Sequence, residues 1–107
     1  MKPVLAKFYV YILTTKNHRI FYTGFTNDLK RRTYEHKKFI YKNSFTAKYK
    51  IGKLVYFEEF DDAGQAKHRE WLIKRYTREW KINLINSINP KWEDLYFKPD
   101  LIFNEKL

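Results

Sequence analysis

The chain has 107 residues, 44% hydrophobic and 20% aromatic, and no cysteine. That length and apolar content suit one domain with its own core, and the missing thiols exclude disulfides and cysteine metal sites. No run of about 18 apolar residues is present to span a membrane, and Met1-Lys2-Pro3-Val4-Leu5 lacks a signal peptide's apolar stretch, so the expected location is the cytoplasm. The formal charge is +10. It is concentrated: residues 29–53 carry nine Lys or Arg against the single acid Glu35. A local positive field suits a polyanion, nucleic acid first. A solubilising surface or an anionic membrane contact is the plainer alternative.

Phe8-Tyr9-Val10-Tyr11-Ile12-Leu13 is β-branched and aromatic and predicts a strand buried on both faces. Tyr9 and Tyr11 share one of those faces, because strand side chains alternate. A polar turn over residues 14–19 leads into Ile20-Phe21-Tyr22, completing an antiparallel hairpin. Gly24 is expected to end the second strand, as glycine suits a sharp turn or a close backbone approach. Thr26, Asn27 or Asp28 can cap a helix from about Leu29 to Lys38. Arg32 and His36, four apart, lie on one face of it.

Residues 39–53 show no clean period. Lysines alternate there with Phe39, Tyr41, Phe45 and Tyr49, ingredients for phosphate and base contact. Most of those rings are nevertheless expected in the core. A third strand is predicted at Lys53–Phe60, and a helix over about 62–75 opened by Asp62 with Gln65 three residues on. On its wheel Glu70 falls between Ala63 and Ala66, inside the stripe that faces the sheet. A carboxylate there needs a cation: Arg32, another basic group or a metal ion. A third helix runs from about Thr77 to Ser87, and Asn89-Pro90 stops it. The apolar residues of the tail, Trp92, Leu95, Tyr96, Phe97, Leu101, Ile102 and Phe103, predict that it packs on the domain.

Tyr9-Val10-Tyr11, Tyr22-Thr23-Gly24, Arg32, His36 and Glu70 together resemble the GIY-YIG nuclease superfamily, and within it the small single-domain bacterial branch. Ala47-Lys48-Tyr49, Lys67-His68-Arg69-Glu70, and Asn89-Pro90 with Trp92 and Asp94-Leu95 extend the likeness over about residues 7–96. Tyr9 stands where the first triplet has glycine, and Thr23 where the second has Ile or Val. The resemblance implies an α+β fold, a small three-stranded, mostly antiparallel sheet flanked by about three helices. It implies one domain over 1–107, with a core of about 7–88 and the tail packed on it. Its catalytic positions fall on Tyr11, Tyr22, Arg32, His36 and Glu70, with Glu70 the metal ligand. For the family's late asparagine Asn83, Asn86 and Asn89 compete, and the Asn-Pro pair favours Asn89.

The implied function is a metal-dependent endonuclease acting on DNA, with RNA the second choice of substrate; the alternative is a nucleic-acid binding module that kept the fold without turnover. One carboxylate suits one Mg²⁺ or Mn²⁺ per site. Arg32 is the permanently charged group for a phosphate. Tyr11 is the candidate base or water-orienting group, with Tyr22 or His36 as alternatives. A free phenol titrates near 10, so a base role requires the metal or Arg32 to lower it. Lys30, Arg31, Lys37, Lys38, Lys42, Lys48, Tyr49 and Lys50 are the candidate nucleic-acid contacts. A separate protein partner for targeting is compatible with so small a chain.

Overall fold

The computed structural model describes residues 6–98. Three strands, β1 (Phe8–Thr14), β2 (Phe21–Thr26) and β3 (Lys53–Phe60), form one antiparallel sheet in the order β2-β1-β3. Four helices join them: α1 (Leu29–Lys37), α2 (Phe45–Lys48), α3 (Ala63–Lys74) and α4 (Arg78–Ile88), and a 3₁₀ turn follows at Leu95–Phe97. The expected three strands and three longer helices are present, with α2 additional.

The central strand β1 is buried on both faces, as its composition requires. Val10 and Ile12 pack with Ala66 and Ile73 of α3 and Ile85 of α4 on one face. Tyr11 and Leu13 pack with Leu29 of α1, Ile51 and Leu95 on the other. A bulge in β3 shifts the register between Ile12 and Leu13, so Ile12 pairs with Tyr56 and Leu13 with Leu54. Val55 is the extra residue. This is why consecutive Val55 and Tyr56 both belong to the α3–α4 face.

Side-chain caps fix the helix starts. Asp28 accepts from Arg31 N, Asp62 from Gln65 N and Thr77 from Trp80 N, each satisfying one of the free donors of the first turn. Of the tail, Leu95 is buried and Trp92 packs against the core, while Leu101, Ile102 and Phe103 lie outside the described residues, as do Met1–Leu5.

Two expectations are corrected. Gly24 does not end β2; the strand continues to Thr26, and Gly24 pairs with Tyr11. Its role is the close approach, since a Cβ there would sit 2.5 Å from both Cζ and Oη of Tyr11. The rings of residues 39–53 are largely not core: Tyr41, Phe45 and Tyr49 are 54%, 50% and 42% exposed. The segment arches off the sheet, anchored by buried Thr46 and Ile51. Its one helical turn, α2, is too short to carry a helical period and is marked only by its cap, Ser44.

Candidate active site

The sheet face that carries α1 holds the site. Strand alternation aims Tyr11 at this face, and Tyr22 packs against the same cluster. The α1 cap at Asp28 sets the helix so that Arg32 and His36, one turn apart, face Tyr22. Tyr22, Arg32 and His36 line a cleft of about 520 Å³ whose far wall is Tyr41, Ser44, Phe45 and Thr46. Tyr11 lies beneath it, fully buried. Its ring centroid is 6.3 Å from that of Tyr22 and 6.0 Å from that of His36.

A buried polar chain ties this floor together. Tyr11 Oη is 3.2 Å from His36 Nε2, and His36 Nδ1 is 2.9 Å from Thr46 Oγ1. Thr46 Oγ1 in turn lies 3.2 Å from Ser44 Oγ. Burial, followed by the charge of Arg32, pushes the His36 pKa down to about 4. The imidazole is therefore neutral at pH 7, one ring nitrogen donating and the other accepting. Burial also pushes the Tyr11 phenol well above its ordinary range, with Tyr22 adding to the rise and Arg32 opposing it. Among the protein's own groups, burial outweighs the lowering by Arg32.

Arg32 is partly partnered: besides its hydrogen bond with the Tyr11 hydroxyl, only weak contacts hold it. Its Nη1 lies 3.5 Å from Glu35 Oε1 and its Cζ 5.9 Å from the Tyr41 ring centre. Its Nε is buried with no hydrogen-bond partner among the described residues. Such a donor is costly unless a ligand accepts from it.

Glu70 projects from α3, 21% exposed, and its charge is near enough to add to the upward push on Tyr11. The cation it needed is Lys74, with Nζ 3.0 Å from Oε2. No group of three or more His, Cys, Asp or Glu able to hold a metal occurs among the described residues. One half-buried carboxylate without nitrogen or sulfur ligands fits a hard divalent ion that keeps most of its waters.

Asn89 does not join these residues. It is buried, its Nδ2 donates to Val55 O at 3.0 Å and Glu93 O at 2.8 Å, and its Oδ1 accepts from Glu93 N at 3.0 Å. The side chain is consumed in clamping the end of α4 to β3 and the following loop. Asn86 accepts from Trp92 Nε1, and Asn83 is exposed.

Among the expected nucleic-acid contacts, Lys37 is diverted. It donates to Gly52 O at 2.9 Å, pairs with Asp94, and lies over the Tyr96 and Phe97 rings. Arg31 is 3.8 Å from Asp28 Oδ2, Lys38 covers Tyr34, and Lys48 covers Tyr49. Lys30, Lys42 and Lys50 are exposed. The sequence reading missed Ser44 and Thr46. The only signal for them was a helix cap, with Ser44 accepting from Ala47 N.

Residues 7–83 match the GIY-YIG catalytic domain, a stretch that includes Tyr11, Tyr22, Arg32, His36 and Glu70. The chain belongs to the GIY-YIG family. A UPF0213 protein of Clostridium perfringens is 43% identical over 90 residues, covering 80% of this chain and 90% of that protein. Another, from Haloquadratum walsbyi, is 42% identical over 80 residues, covering 71% and 83%. The solution NMR structure of a UPF0213 protein from Bacillus halodurans, 28% identical, superposes with a TM-score of 0.53 over 82% of this chain and 92% of that one. The GIY-YIG match implies a nuclease family, a nucleic-acid substrate and the use of divalent metal. Asn89 lies beyond the matched stretch, and Asn83 is its last residue.

Proposed function

We propose that this GIY-YIG protein is a metal-dependent endonuclease that hydrolyses phosphodiester bonds, with DNA favoured over RNA. The observation that carries the reading is the buried, unpartnered Nε of Arg32 in a cleft shared with Tyr22 and His36. A phosphate oxygen is the acceptor that this guanidinium lacks. Glu70 is the ligand for one Mg²⁺ or Mn²⁺, displacing Lys74 from its carboxylate. Such an ion would lower the pKa of bound water and neutralise charge on the phosphoryl oxygens.

The two tyrosines divide their work. Tyr22 lines the cleft and is the phenol we assign to orient the attacking water. Tyr11, buried and bonded to His36, is a positioning residue that fixes the imidazole. His36, neutral and held from both sides, leaves Arg32 as the permanent charge of the cleft wall.

The test is nicking of plasmid, branched and single-stranded substrates with Mg²⁺ or Mn²⁺ by the wild type, Glu70→Ala and Arg32→Ala. Metal-dependent product that both variants lose supports the reading. Absent cleavage, or equal cleavage by the Glu70 variant, refutes it. The Lys74–Glu70 pair favours one other reading, a binding module without turnover. That module binds nucleic acid in a salt-sensitive way and yields no metal-dependent product.

A further inference from the structure

A second recess, of about 1010 Å³, opens between the β1–β2 loop, the end of α1 and the segment leading into β3. It shares a wall with the active-site cleft. Tyr41, Ser44, Phe45 and Thr46 border the cleft, while Phe39, Tyr49 and Lys50, at the two ends of the same segment, border this groove. Lys16 and Arg19 add charge from the β1–β2 loop, and Lys53 from the start of β3.

Three observations mark the groove as built for a ligand. The first is its charge. Asp94 is the one carboxylate among the described lining residues, and it is consumed by Lys37, Leu54 N and Tyr96 N. The cations of the loop and of Lys50 therefore dominate the field.

The second is backbone conformation. Phe39 and Lys50 follow the C-caps of α1 and α2 with φ of 50° and 55°. Their bonds close the helix ends: Ile40 N donates to Glu35 O at 3.2 Å and Ile51 N to Thr46 O at 2.8 Å. Glycine is the relaxed residue at such a position. The chain instead carries a phenyl ring and a lysine, and both side chains border the groove. Strain of this kind persists where the side chain has a use.

The third is rigidity. Thr15 Oγ1 accepts from Arg19 N at 2.9 Å and donates to Asn17 Oδ1 at 2.7 Å. Arg78 of α4 donates to His18 O and Arg19 O at 2.8 and 2.7 Å. His18 itself has φ of 61°, and its Nε2 accepts from Lys53 Nζ at 2.9 Å. The loop that presents Lys16 and Arg19 is thus held in place before any ligand arrives.

We infer that this groove binds an unpaired strand of nucleic acid continuous with the substrate in the cleft, its phosphates on Lys16, Arg19 and Lys50 and its bases on Phe39 and Tyr49. The inference rests on the nucleic-acid reading of the neighbouring cleft. Cations for the backbone with rings for stacking are what a single strand requires, since its base faces are open. A duplex keeps those faces covered.

The experiment is fluorescence anisotropy in EDTA, so that no cleavage occurs, with a labelled twelve-residue oligo-dT and a labelled twelve-base-pair duplex. The proteins are the full chain and its variants Lys16→Glu/Arg19→Glu, Phe39→Gly, Lys50→Gly and, as a charge control away from the groove, Lys91→Gly. The loop double variant should bind oligo-dT about tenfold more weakly or worse, and Lys91→Gly within about twofold of wild type. Lys50→Gly should lose oligo-dT affinity while its melting temperature rises, because glycine relieves the left-handed backbone. If loss of ring packing unfolds Phe39→Gly, the loop pair and Lys50→Gly decide the matter.

The groove is overturned if the wild type does not bind oligo-dT, or if the loop double variant binds it as the wild type does. It is equally overturned if duplex and single strand lose affinity alike. The nuclease reading fails separately. Groove-dependent binding without Mg²⁺- or Mn²⁺-dependent nicking leaves the groove standing and removes catalysis. Nicking with binding indifferent to the groove variants does the reverse.

Discussion

Two arginine–tyrosine clusters sit on opposite faces of one sheet, and they differ in how completely they are satisfied. On the α3–α4 face, Arg69 donates to both oxygens of Glu58 at 2.9–3.0 Å and to Tyr76 Oη at 3.2 Å, and Tyr56 also bonds Glu58. On the α1 face, Arg32 reaches Glu35 at 3.5 Å and the Tyr11 hydroxyl, and its Nε is unpaired among the described residues. The residue types are alike: arginine, tyrosine and glutamate. The closed cluster is a brace, whereas the open one presents donors to a cleft. A polar network with every group paired contributes to the fold, and one with a donor left over awaits a ligand.

Arg32→Ala gives the largest expected effect. Its cleavage rate should fall about 10²–10³-fold, the scale for removing one preorganised donor to developing charge, with little change in melting temperature. A rate loss matched by a collapse in stability would make Arg32 a second brace and erase the comparison.

His36 gives the next effect, through pH. Its folded pKa is about 4, below the ordinary value of 6.5. Its contribution is fully present above 6.5 and fades as pH falls toward 4, because the unfolded chain binds the proton first. The loss should reach up to about 3 kcal/mol. Urea unfolding between pH 7 and 5 should show this slope in the wild type and a flatter one in His36→Phe. Equal slopes would place the imidazole in solvent.

Arg69→Ala is the mirror test. It leaves Glu58 and Tyr76 without their donor and should cost about 2 kcal/mol of stability. That figure is below the fully buried range because the two side chains remain 27% and 22% exposed. Cleavage per folded molecule should be unchanged, and a selective rate loss would show that the closed cluster also serves the chemistry.

Thr46→Val gives the smallest effect. Removing the hydroxyl at 2.9 Å from His36 Nδ1 should cost about 1 kcal/mol. A cleavage rate lowered about fivefold, with substrate affinity retained, would tie the 39–50 segment to the open cluster. An unchanged rate would confine that bond to stability.

Much of this was legible in the residues themselves. The apolar run at Phe8–Thr14, a cap among Thr26, Asn27 and Asp28, the caps Asp62 and Thr77, and the shared face of Arg32 and His36 are all local. Each depends on periodicity or on bonds within one helical turn. The resemblance added which of those residues belong together, because its spacings encode a packing that no single element contains.

The rest needed the folded chain. Lys37 and Asp94 are 57 residues apart, so nothing near Lys37 announces that its charge is consumed. Asn89 carries a signature spacing, yet its amide meets the backbone of Val55, 34 residues earlier. The sequence put Tyr11 ahead of Tyr22, and only the folded chain shows Tyr11 buried against Gly24 while Tyr22 lines the cleft. Sequence alone determined which side chains share a strand or helix face, since side-chain type and local geometry are written residue by residue. Which of them are buried, paired or left open was decided only by tertiary contacts, because burial and pairing belong to neighbours that are distant along the chain.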